Sequence, residues 1–228
     1  MCHACGGTGD RWISACVLTQ QRELLNGLNA LARSIHADNV LAGWWNDLGT
    51  GQDIRAARNR PEMLMLMVSE LSEASEAVMH QLQDDKLPHR PGFDVELADT
   101  CIRALDLLGA EATLSGQSPI VQTTTIDGTS VTNTVRDMRE EMNHRYYRSI
   151  DDRLMQVVND LSRAMEAYRR SLTITGRFYV TQALLRCIAV ASHHDVPLFD
   201  VIEEKRNFNR QRADHKVANR KAHGGKQF

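Results

Sequence analysis

The sequence predicts an all-α protein, a helical bundle of two pseudo-symmetric helical hairpins with a small β-hairpin insertion. Three observations predict it. Aromatic residues make up only 5% of the 228 residues, while Ala, Leu, Met and Glu are plentiful. Apolar residues recur at helical spacing through most of the chain. A stretch of the first half also returns in the second: LMLMVSELSEASEA (64–77) aligns without gaps on LMQVVNDLSRAMEA (154–167). The helix beginning at Phe93 resembles the one beginning at Phe178, and Cys101-Ile102 aligns with Cys187-Ile188. Two hairpins of one design each need the other to bury an apolar face.

Residues 1–16 read as a flexible N-terminal segment, followed by a single all-α domain over 17–212. The first helix, 17–41, carries Leu18, Leu24, Leu25, Leu28, Leu31, Ala32 and Ile35 at helical spacing. Pro61, suited to a first turn, opens a helix over 61–83 whose buried stripe is Leu64, Met67, Leu71, Ala74 and Val78. Pro88 and Pro91 make 84–92 a loop. The next helix, 93–112, has a wide apolar face of Val95, Leu97, Ala98, Ile102, Leu105 and Leu108. These two form the first hairpin, 61–112. Residues 113–134 are a Ser/Thr/Gly-rich linker in which QTTTI-DG-TSVTN turns on Asp-Gly, the signature of a short hairpin. Helices resume over 135–148, 151–172, 176–192 and 197–212, with 151–192 the second hairpin. Residues 213–228 read as a polar basic tail without regular structure.

The length allows one to two domains. Charged residues at 25% and hydrophobic residues at 42% are ordinary for a globular chain. No apolar run reaches the ~18 residues that span a bilayer. No basic segment followed by an apolar stretch marks a signal peptide. The expectation is a cytoplasmic protein whose cysteines stay reduced. The net charge of −2 conceals an asymmetry. Ten acidic residues face three basic ones between Glu70 and Glu111, whereas eight basic face three acidic from Glu203 onward. That distribution lacks the broad basic face of a nucleic-acid binder. It suits a metal together with a phosphate-bearing ligand.

The candidate chemistry lies in Glu70-x-x-Glu73 on one helix and Glu96-x-x-Asp99 on the next. Residues three apart project from one helical face, about 60° apart, and both pairs sit on the shoulder of the apolar stripe. Packing the hairpin brings four carboxylates together, at a cost in desolvation and like-charge repulsion. Mg²⁺ relieves both, being a hard cation that shares oxygen ligands with phosphates. In the second copy Glu70 and Glu73 become Asp160 and Arg163, and Glu96 and Asp99 fall on Gln182 and Leu185. The apolar pattern persists while three of the four acids vanish, which points to one working site and one scaffold copy.

LMLMVSELSEASEA, the loop KLPHRPGF, the helix VELADTCIRALDL and the tail IEEKRNFNRQRADHK…HGGKQF resemble the all-α nucleoside triphosphate pyrophosphatases. The similarity is to MazG-like members of bacteria and their phages, and IHADNVLAGWW resembles their N-terminal helix. It covers about residues 27–111 and 196–228; the segment 113–195 departs from the single-copy pattern. The resemblance implies hydrolysis of a (deoxy)nucleoside triphosphate between the α and β phosphates, giving monophosphate and pyrophosphate. By position, Glu70, Glu73, Glu96 and Asp99 would be catalytic and hold Mg²⁺, with Mn²⁺ as a substitute. Lys205, Asn209 and Arg212 match the family's K…N..R pattern and would grip phosphates. The expected partner is the triphosphate, with a homodimer open, and neither nucleic acid nor a membrane. A catalytically silent nucleotide-binding or regulatory bundle is the alternative.

Trp44 and Trp45 either stack on a nucleobase or cap the core, and His89 in the loop is either a further phosphate contact or simply exposed. Cys2 and Cys5 form half of a zinc site, which needs four ligands, and no second C-x-x-C is present. Glu141-x-x-His144 is one half of a di-iron motif that requires two. His194-Asp195 is an isolated pair at a helix end.

Overall fold

The computed structural model describes residues 10–126, 128–132, 149–222 and 226. It is an all-α bundle with one small two-stranded antiparallel sheet. Helix α1 spans Asp10–Leu41, so regular structure starts inside the segment expected to be flexible. Helix α2 (Arg60–His80) starts where the Asn59 side chain accepts from the Glu62 amide, with Pro61 in the first turn. It stops at Gln81, which sits at a left-handed φ of 53°. The loop 84–91 leads to α3 (Gly92–Ser115). Strands β1 (Thr123–Ile126) and β2 (Thr129–Thr132) pair antiparallel, with Thr124 opposite Val131 and Ile126 opposite Thr129. Gly128 takes the positive φ of 79° that the tight turn demands. Helix α4 (Ile150–Arg169) opens on a reciprocal capping box between Ser149 and Asp152. Helices α5 (Thr173–His193) and α6 (Leu198–Gln211) follow.

The tail departs from expectation. A 3₁₀ turn, Ala213–His215, and the short helix α7, Val217–Lys221, dock back on the body. Arg220 is 1% exposed, and its guanidinium lies 3.5 Å from the Trp44 ring centre. Polar composition hid this because the contact is a cation on an aromatic face, which apolar periodicity does not register. The helix expected over 135–148, with Glu141 and His144, lies outside the described residues, as do Cys2 and Cys5.

Both hairpins share one apolar core: Met67, Leu71, Leu97 and Leu105 belong to the same buried cluster as Val157, Leu161, Leu184 and Leu185. α2 packs on α3 and α4 on α5; between the hairpins, α3 packs on α5 and α2 on α4. Along α2 the buried positions are Met63, Leu64, Met67, Glu70, Leu71, Ala74 and Ala77. Those of α4 match them one for one: Arg153, Leu154, Val157, Asp160, Leu161, Ala164 and Ala167. Ala77 replaces Val78 in the expected stripe, Val78 being 37% exposed. Cys101 and Cys187, equivalent in the repeat, are buried and hydrogen-bonded to each other. Helix α1 closes on α3 at Gly109, where a Cβ would come within 2.6 Å of both the Ala32 carbonyl oxygen and His36 Cβ. No helix among the described residues is long and apolar enough to cross a membrane.

Candidate metal centre

Packing α2 against α3 puts Glu70, on the buried face of α2, beside Glu96 and Asp99 on the first turns of α3. One carboxylate oxygen from each of the three lies within 4.8 Å of the others. All donors are hard oxygens, the ligand type that Mg²⁺ takes. Glu73, one turn along α2, feels the charges of Glu70 and Asp99, but its oxygens are not in that group. The expected four-carboxylate set is therefore three carboxylates with Glu73 on the rim.

The cluster carries the marks of crowded charge. Burial, a hydrogen bond to Glu70 and the negative charges of Asp99, Glu70 and Glu73 push the Glu96 carboxyl up to about 9. Burial, then the charge of Glu70, raises Glu73. Burial also raises Asp99, against the pull of Lys205. Two cations partly compensate. Arg103 donates from Nε to Glu70 Oε1 at 2.7 Å and brings a second guanidinium nitrogen to 2.5 Å. Lys205 Nζ lies 3.0 Å from Asp99 and 3.7 Å from Asp84. Burial works against the lysine charge, but Asp99, Asp84 and Glu96 outweigh it and keep Lys205 above its ordinary value. Lys205, for which the family resemblance implies a phosphate contact, has a side chain 4% exposed and lies within the acidic cluster.

A cavity of about 150 Å³ opens beside the cluster, with Asp99 and Arg103 in its wall. Asn39 on α1, Trp44 and Trp45 after it, and His215 at the C-terminal end are also among its lining. Asn209 and Arg212 both line this cavity. Arg212 forks onto Asp214 at 3.0 and 2.7 Å. The two tryptophans separate in role. Trp44 is half-buried at the cavity, edge-on to His215. Trp45 is 2% exposed and belongs to the core. Burial holds the His215 imidazole down at about 4, so it is neutral near pH 7. His89 is not in the cavity wall; it is 61% exposed and pairs with Glu204 at 2.6 Å, beside Arg90 at 2.9 Å on the same carboxylate.

No family model, curated protein or solved structure matches the chain. The site therefore stands on its own geometry.

Sequence reasoning missed the cavity floor. Asp106, 6% exposed, accepts from His36 Nδ1 at 2.9 Å, Trp45 Nε1 at 2.9 Å and Asn39 Nδ2 at 2.7 Å. The signal was available: Glu96, Asp99, Arg103 and Asp106 continue one helical face at i, i+3, i+7 and i+10. Arg58, also in the wall, has its charge disfavoured by burial.

Proposed function

We propose that the chain is a cytoplasmic Mg²⁺-dependent nucleoside triphosphate pyrophosphohydrolase, releasing monophosphate and pyrophosphate. The observation that carries the reading is the buried group of Glu70, Glu96 and Asp99 at the edge of a cavity with an aromatic wall. Unbalanced carboxylates in such a place are costly unless a cation joins them. Glu70, Glu96 and Asp99 would hold Mg²⁺, whose chemistry there is to neutralise charge on the phosphate oxygens. Glu73, left on the rim with a raised carboxyl, orients the attacking water and takes its proton as the α–β anhydride opens. Arg103 fixes Glu70, and Lys205 fixes Asp99. Trp44, which carries Arg220 over its ring, lines the place of the base, and Asn209 and Arg212 hold the polar part of the nucleotide.

One observation favours the alternative of a catalytically silent nucleotide-binding bundle: Lys205 already supplies a cation to Asp99. Incubation with each deoxynucleoside triphosphate and Mg²⁺, followed by quantification of products, separates the two readings. Monophosphate and pyrophosphate in equal amounts are expected, and Glu73→Gln or Asp99→Asn should abolish them while the circular dichroism spectrum is kept. Diphosphate and orthophosphate would refute the bond assignment; no turnover of any triphosphate would leave the silent bundle.

A further inference from the structure

Building on the nucleotide reading above, we propose that the C-terminal residues form a strap that completes the cavity, and that Arg220 is a positioning residue for the nucleotide. Arg212, His215 and Lys226 stand in the cavity wall, and Arg220 does not. What Arg220 does is fasten the segment that carries them.

The body carries a seat for the strap. Gly43 takes a φ of 75°, and a Cβ there would come within 2.6 Å of Val217 Cγ2, so the strap passes where glycine alone leaves room. On the next residue, Trp44, the Arg220 guanidinium lies 3.5 Å from the ring centre, and the His215 ring meets the indole edge-on. From that post Arg220 holds the wall: its Nε donates to the Lys226 carbonyl oxygen at 3.2 Å. Asp214 ties the remainder, accepting from Arg212 on both oxygens and drawing Lys226 Nζ to 3.5 Å. A desolvated cation on an indole face shifts an equilibrium by about 30-fold.

Charge opposes the fastening and links it to the ligand. Burial, then the charge of Arg58, holds the Arg220 guanidinium below its ordinary value. Arg58 is in the cavity wall, with its Nε buried and unpartnered. A phosphate beside Arg58 relieves the repulsion between the two guanidiniums, so ligand and closed strap stabilise each other. The coupling is reciprocal: a change that opens the strap weakens the ligand in proportion to the closed fraction lost.

Two measurements on the full chain test this. Limited trypsin digestion reads closure, because cleavage after Lys216 or Lys221 requires the strap to leave the body. Calorimetry with Mg²⁺ and α,β-imido deoxynucleoside triphosphates, which resist cleavage at that bond, reads binding. Arg220→Ala should speed cleavage after Lys216 and raise the nucleotide Kd, each by about tenfold, with the circular dichroism spectrum kept. Gly43→Ala, which alters no charge and no wall residue, should do both through its clash with Val217. Arg220→Lys keeps a cation for the ring and should recover part of each effect. Nucleotide should slow cleavage of the parent after Lys216. With cleavable triphosphates, KM should rise in Arg220→Ala and kcat should hold, because the metal-holding carboxylates lie on α2 and α3. An unchanged Kd in Arg220→Ala and Gly43→Ala, or parent cleavage indifferent to nucleotide, overturns the inference. A tighter Kd in Arg220→Ala also overturns it, since the strap would then block the site. Hydrolysis by the parent with unmoved Kd values sinks this inference alone. Weakened binding in both variants without hydrolysis by the parent sinks the hydrolase reading alone, and binding of no nucleotide sinks both.

Discussion

Replacing Glu96 by Gln is expected to stabilise the metal-free protein and to remove its stabilisation by Mg²⁺. The folded protein holds the Glu96 carboxyl at about 9 against an ordinary 4.5, through burial first and then Glu70, Asp99 and Glu73. A proton bound more tightly in the folded state makes stability full below the unfolded value and progressively lost as pH rises towards the folded one. The loss therefore runs from pH 4.5 to about 9. At roughly 1.4 kcal/mol per pH unit, the span from 4.5 to neutrality is worth ~3 kcal/mol. Glu96 is only partly buried, and screening by the solvent that reaches it brings this to ~1–2 kcal/mol. A glutamine stays neutral and can still donate to Glu70, so it escapes the loss. For a chain of this size each kcal/mol moves Tm by about 2–4 °C. In EDTA near neutral pH, Glu96→Gln should melt ~2–8 °C above the parent, the gap closing as pH falls towards 4.5. With Mg²⁺ added, the parent should gain stability and the variant should not. Melts by circular dichroism across pH, with EDTA or Mg²⁺, check both halves. A gap that does not change with pH, or a variant that responds to Mg²⁺ as the parent does, would refute the reasoning.

Gly109→Ala should cost ~1–3 kcal/mol, because its Cβ would meet the Ala32 carbonyl oxygen and His36 Cβ at 2.6 Å and push α1 off α3; urea denaturation reads it. Asp160→Ala should cost ~3–5 kcal/mol, since it strips a fully buried carboxylate from Arg186 at 2.5 Å and Arg163 at 3.3 Å. Turnover per folded molecule should nonetheless match the parent when assayed well below the melting range. A matching fall in specific activity would mean that the second copy contributes chemistry.

The bundle was legible because its signal is periodic. One repeat of apolar spacing placed α2 and α4, and their buried positions coincide residue for residue. The acids were legible from spacing too: Glu70 lies on the buried face of α2, and Glu96 and Asp99 stand three residues apart on α3. What spacing does not encode is which distant group answers a polar side chain. Asp106 draws its donors from His36, Asn39 and Trp45, on α1 and the turn after it, and the sequence holds no count that joins them. Lys205 sits on a polar helix whose spacing names no protein partner for it. Packing of α6 on α3 turns it inward to Asp99. The tail was opaque because Arg220 docks on Trp44 through its guanidinium, with no apolar stripe to announce it.

The two copies solve one burial problem in different ways. Each places an acid at the same position of its first helix, Glu70 at 7% exposure and Asp160 at 0%. Each draws an arginine from the following helix, Arg103 to Glu70 and Arg186 to Asp160. In the second copy Arg163 stands where Glu73 would be, while Gln182 and Leu185 take the places of Glu96 and Asp99. The buried acid there is answered by protein cations alone. In the first copy three further carboxylates surround the same position, and Arg103 and Lys205 do not neutralise them all. Like charges held together away from water oppose folding. The second hairpin demonstrates that the packing of this bundle is achieved without them. The acid excess of the first copy is therefore not a requirement of the fold. Under the proposed function, a cation from outside the chain is what would give it a use.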